Sequence, residues 1–130
     1  MKREAYLVEM PTTTKILNFR DLDVWKLGKE IALAVYRLTA EFPTSETYGL
    51  VAQMRRAAVS IASNIAEGFN RYHNREERQF LYTALGSCAE VETQLEISCE
   101  LGYCNSGTRD KLLESLDHES RMLRNLIKKL

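Results

Sequence analysis

The chain has 130 residues, 45% of them apolar, and its 18 basic side chains are balanced by 18 acidic ones. That length and apolar share suit one domain with a real core and exclude a disordered polymer. With a net charge of zero, attraction to nucleic acid or anionic lipid through overall charge is excluded, so any such affinity has to be local.

Both prolines, Pro11 and Pro43, precede residue 44, so the rest of the chain is punctuated only by Gly. The first predicted helix runs from Leu22 to Phe42. Its apolar residues Val24, Leu27, Ile31, Ala34 and Leu38 follow one helix face, and Trp25, Ala32, Val35 and Tyr36 widen it. Pro43 stops it, because the residue before a proline is pushed out of the α region. A second helix is predicted from about Glu46 to Glu67, with Leu50, Met54, Ala57, Ile61 and Ile65 inward and Gly68 placed as a left-handed cap. Its flanks, Ala57, Ala58, Ala62 and Ala66, are small enough to let two helix backbones approach closely.

Asn74 followed by Glu77 has the spacing of a capping box and predicts the start of a third helix. Leu81, Ala84, Leu85, Cys88, Val91, Leu95 and Cys99 carry it to Gly102, about 28 residues or ~42 Å. After a turn at Cys104-Asn105-Ser106-Gly107, a fourth helix runs to the C-terminus with Leu112, Leu116, Leu123, Leu126 and Ile127 inward. Four helices with short connections predict an all-α, antiparallel up-down-up-down bundle.

The charges are unevenly spread along these rods. Residues 86–119 carry eight acids and two bases, whereas residues 120–130 carry four bases and no acid. Arg55, Arg56, Arg71, Arg75 and Arg78, with Tyr72 and His73 interleaved, form the candidate phosphate-contacting set, since Arg binds phosphate in a bidentate fork. The tail of Arg121, Arg124, Lys128 and Lys129 is read as complementing the helix dipole. Asn64, Glu67 and Glu90 lie on otherwise apolar helices and call for partners; Arg20, Arg55 and Arg56 are the available cations for a structural polar network.

No catalytic or metal constellation stands out. A di-iron bundle needs Glu-x-x-His, which is absent, and Glu92, Glu96, Glu100, Glu114 and His118 read as a solvated acidic face. Neither His73 nor His118 has an Arg four to six residues before it, the register of the helical-bundle ribonucleases. There is no phosphate loop and no serine elbow. Three Cys without a CxxC pair suit a reducing compartment. No apolar run approaches the ~18 residues of a membrane span. The expectation is a cytoplasmic, non-enzymatic protein without metal or cofactor.

Phe19-Arg20-Asp21-Leu22, Val24-Trp25, Tyr48-Gly49-Leu50, Gln53, Arg55-Arg56-Ala57-Ala58, the run from Ser60 to Gly68, Phe80-Leu81, Ala84, Gly86-Ser87 and Glu90 resemble the bacterial four-helix bundle proteins encoded in intervening sequences of large-subunit ribosomal RNA genes. That superfamily includes the accessory variability determinant of diversity-generating retroelements. The resemblance covers about residues 19–130, read as the bundle domain, and leaves residues 1–18 as an N-terminal extension. It implies a ring-shaped homopentamer and, from the retroelement members, binding to RNA or DNA and to a reverse transcriptase. Ala62 stands where many relatives have Pro, and the neutral charge departs from the strongly basic retroelement proteins. The function expected is an oligomeric adaptor for nucleic acid or a nucleic-acid enzyme; the alternative is a structural protein-interaction module with no nucleic-acid role.

Overall fold

The computed structural model describes residues 5, 6, 16 and 18–130, and among these it contains four long helices and no strand. The chain enters through a 3-10 turn, Phe19–Asp21, capped by Asn18. The Asn18 side chain accepts from the Arg20 amide at 2.8 Å, and the Asn18 amide donates to Asp21 Oδ2 at 3.0 Å. Helix α1 follows as Asp23–Thr39, burying Val24, Gly28, Ile31, Val35 and Thr39 at helical spacing. It stops three residues before the predicted end. Phe42 leaves the helix to bury itself beside Tyr103, with ring centroids 5.3 Å apart.

After a 3-10 turn at Thr44–Glu46, helix α2 spans Leu50–Phe69 and α3 spans Asn74–Glu100. Gly68 is not the left-handed cap that its position suggested; it lies within α2, and the helix runs one residue further. The reason is a close crossing. A Cβ on residue 68 would meet Phe80 Cβ at 3.1 Å and the Glu77 carbonyl at 3.3 Å, so glycine is what lets α2 and α3 meet there. The left-handed residue is Gly102, at φ +85°. Beyond α3 the Gly102 amide donates to the Cys99 carbonyl and the Tyr103 amide to the Ser98 carbonyl, which ends the helix with a Schellman motif. Helix α4, Ser106–Lys129, starts inside the predicted turn because Asn105 caps it, accepting from the Thr108 amide at 2.8 Å.

The helices neighbour one another in a closed cycle, α1 with α2, α2 with α3, α3 with α4, and α4 with α1, which is a four-helix bundle. Contacts pair late residues of one helix with early residues of the next. Arg55 of α2 meets Thr39 of α1, Ser98 of α3 meets Met54 of α2, and Arg109 of α4 meets Cys99 of α3. Met54, Ile61, Ile65, Leu81, Leu95, Leu116, Leu123 and Leu126 are fully enclosed. Tyr6, from the segment expected as an extension, is also fully buried; its ring meets Phe69 edge-on at 5.0 Å and its hydroxyl donates to Glu77. The rest of residues 1–15 and residue 17 lie outside the described residues.

Cys88 sits in this core. Burial, with help from Glu119, pushes its thiol up from 9.0 to about 12. Folding therefore favours the protonated form. That contribution is complete below about pH 9 and is lost as pH rises toward 12, at ~1.4 kcal/mol per unit. Urea titrations should show the stability of the wild-type chain relative to Cys88→Ala falling by about 2 kcal/mol between pH 9 and about pH 10.5. A constant difference would mean the thiol is solvated.

Candidate nucleic-acid interface

The five arginines expected to act together fall into two groups. Arg55 and Arg56 sit in the first half of α2 and Arg71, Arg75 and Arg78 around its far end, 16 residues or ~24 Å along the rod. Arg55 is already engaged. Its Nε donates to Thr39 Oγ1 at 2.9 Å, its Nη2 to the Tyr36 carbonyl at 3.3 Å, and its guanidinium lies 4.4 Å over the Tyr36 ring. It ties α1 to α2. Arg56 is exposed on the ridge of α2, beside a shallow furrow lined by Ser60, Ser87, Glu90 and Gln94.

At the other end, Arg71 pairs with Glu67 one turn earlier at 3.2 Å and lies 4.8 Å over the Phe80 ring. Arg78 Nη1 donates to the Leu130 carbonyl at 3.0 Å, and Asn74 Nδ2 donates to the same oxygen at 3.1 Å. The capping box expected of Asn74 and Glu77 is therefore not built. His73 is the N-cap and makes no side-chain cap bond, Asn74 turns to the end of α4, and Glu77 turns inward to accept from Tyr6. Both side chains found tertiary partners that outbid the local ones.

The clamp on Leu130 has a larger consequence. It brings the last turn of α4, with Lys128 and Lys129 exposed, to the junction that carries Arg71, Arg75 and Arg78. Along the chain that tail stands apart as a dipole feature, because 52 residues separate Arg78 from Leu130. Tyr72, 93% exposed, projects from the same junction, and Arg75 lines a hollow there with Asn64, Gln79, Phe80 and Thr83. Against these cations stand Glu67, held by Arg71, and the exposed Glu76. The N-terminal amides of α3 open at this end too and add positive potential. Such a surface can hold phosphates and offer a stacking ring.

The expected polar network around Arg20, Asn64, Glu67 and Glu90 does not assemble. Arg20 lies over the Phe19 ring at 4.6 Å, Glu67 takes Arg71, and Glu90 is exposed. Asn64 stays within α2, donating to the Ser60 carbonyl and hydroxyl at 2.8 Å each, while Ser87 of α3 donates to Ser60 Oγ at 2.9 Å. Helical periodicity leaves side chains beside the core stripe free to turn to solvent or to their own helix. The buried carboxylates are instead Glu77 and Glu119. Their signal was present: Glu77 precedes Leu81 by four, and Glu119 lies three after Leu116 and four before Leu123, at core spacing. Among the described residues, no group of three or more His, Cys, Asp or Glu gathers closely enough to hold a metal ion, and no helix is long and apolar enough to cross a membrane.

Residues 20–125 match the family model described as 23S rRNA-intervening sequence protein. The chain is also similar to a solved Bacteroides thetaiotaomicron protein, described as of unknown function and from the S23 ribosomal protein family. The two share 21% identity with a TM-score of 0.75, covering 81% of this chain and 95% of that one. None of the curated proteins compared with the chain matches it. At that identity the solved structure speaks for the fold alone.

Proposed function

This chain belongs to the 23S rRNA-intervening sequence protein family, and on that premise we propose that it is a non-enzymatic adaptor, a homopentameric ring of antiparallel four-helix bundles that binds nucleic acid through one end of each bundle. The observation that carries the reading is the convergence of Arg71, Arg75 and Arg78 with Lys128 and Lys129 around the Leu130 clamp. In a chain of zero net charge, cations gathered at one end and acids placed elsewhere give a directed phosphate surface rather than general stickiness. A ring repeats that surface around an axis, so weak contacts add through multivalency. The pairing of late with early residues between successive helices supports the antiparallel order. A nucleic-acid enzyme such as a reverse transcriptase, in the cytoplasm, is the second partner this reading accommodates.

The test is a salt titration of binding to labelled RNA and DNA. Affinity falls as salt rises, and the triple substitution Arg75→Ala, Lys128→Ala, Lys129→Ala lowers the slope of log K against log salt by about 2, at ~0.7 to 0.9 per lost phosphate contact. These three are exposed, whereas Arg71 and Arg78 hold neighbouring groups and would confound the result. The absence of binding at low salt, or an unchanged slope, overturns the nucleic-acid reading and leaves a protein-interaction module.

A further inference from the structure

Two surfaces of the bundle carry apolar side chains that the fold does not use. On the side formed by α1 and α2, Leu33, Tyr36, Tyr48 and Val59 are 41, 44, 96 and 42% exposed. On the outward ridge of α3, Tyr82, Ile97 and Leu101 are 57, 45 and 54% exposed, with the small exposed residues Gly86, Ala89 and Thr93 between them. Helix α3 is thus apolar on its core face, through Leu81, Ala84, Cys88, Val91 and Leu95, and again along its back. Solvent-facing helix backs are ordinarily polar, and apolar patches of this kind mark contact surfaces.

The charges around the two patches are opposite. From residue 47 to residue 66 the chain bears Arg55 and Arg56 and no acid; from 79 to 101 it bears Glu90, Glu92, Glu96 and Glu100 and no base. Arg56 is exposed beside the first patch, and Glu90 and Glu100 are exposed beside the second. Like charges set each patch against its own copy, while unlike charges suit one patch to the other. A contact between two different patches is heterologous, and a heterologous contact repeated by rotation closes a ring.

We infer that the occupant of each patch is a second copy of this chain, the α1–α2 side of one subunit seating on the back of α3 of the next. This rests on the ring reading above and specifies its faces. It also gives Arg56 an anionic partner across the contact and separates it from the phosphate surface at the far end of α2.

Light scattering on three proteins tests this: the wild-type chain, Val59→Asp and Ile97→Asp. Both substituted sites are on the surface, so far-UV circular dichroism should be unchanged; where an aspartate lowers helicity, Tyr48→Ser and Leu101→Ser replace it. The wild type should run as a multiple of the 15.0 kDa chain mass and each variant as a single copy. An equimolar mixture of the two variants should give a species of two copies and stop there, because one intact contact remains. A wild-type single copy would sink the ring reading itself. An oligomeric wild type with either variant keeping its mass, or a mixture that stays at one copy, overturns this assignment of faces while leaving the ring standing.

Discussion

Phe69→Ala is expected to lower stability by about 3–5 kcal/mol, the cost of removing a buried aromatic ring and leaving a cavity behind. Phe69 is 2% exposed at the last position of α2, where three elements meet. Its ring fills the space beside the α2–α3 crossing at Gly68 and is the edge-on partner of Tyr6. Losing it also leaves the Tyr6 ring without its aromatic neighbour and loosens the buried bond from the Tyr6 hydroxyl to Glu77. Urea unfolding at fixed protomer concentration should show a lower midpoint at unchanged slope, and thermal unfolding a melting temperature reduced by about 10–20 °C. A Tyr6→Ala, Phe69→Ala cycle should return a coupling of about 0.5–1.5 kcal/mol for the ring pair. A loss below about 1 kcal/mol for Phe69→Ala would mean the N-terminal contact is not part of the folded core.

Gly28→Ala reverses the usual sign of such a change. Within an exposed helix, Gly to Ala stabilises by about 1 kcal/mol because alanine loses less backbone freedom. At position 28 the new methyl would lie 2.8 Å from Glu119 Oε2, 3.3 Å from Ile61 Cγ2 and 3.5 Å from the Ala62 Cα. Glu119 is the far end of a flexible chain, but it is completely buried and cannot swing into water, and Ile61 is completely buried as well. The crossing of α1 with α2 and α4 has to open instead. A net loss of about 1–3 kcal/mol is expected, and a larger one for Gly28→Val, whose branches meet the same walls. Shortening the opposing side chain should recover part of it, so Gly28→Ala combined with Glu119→Ala is expected to be less destabilised than the sum of the two by at least about 0.5 kcal/mol. A stabilising Gly28→Ala would show that α1 stands further from Glu119 and Ile61 than these distances.

Comparison of these positions shows what kind of information a linear reading carries. The four rods follow from spacing alone, because a helix repeats every ~3.6 residues and the core residues Ile31, Ile61, Leu81, Leu95, Leu116 and Leu123 repeat with it. Asn105 at the start of α4 also obeys a local rule, since nothing beyond its own helix competes for it. Asn74 and Glu77 disobey the same rule because Leu130 and Tyr6, 56 and 71 residues away in sequence, offer them partners. Gly68 departs from its expected role for a related reason. A glycine near a helix end can serve conformational freedom or close approach, and only the neighbouring helix distinguishes the two.

The same division runs through the candidate site. Residue types, their clustering in the chain and their helical phase were open to reading, and so were the all-helical class and an acidic third helix with a basic tail. Which arginines stand together was not. Arg55 and Arg71 are close in number but lie on one rigid rod that holds them ~24 Å apart, while Arg78 and Lys129 are far apart in number and meet because α4 returns to the end where α3 begins. Periodicity is a property of neighbours along the chain, whereas a binding surface is made where separate helices end beside one another, and that depends on how the rods pack.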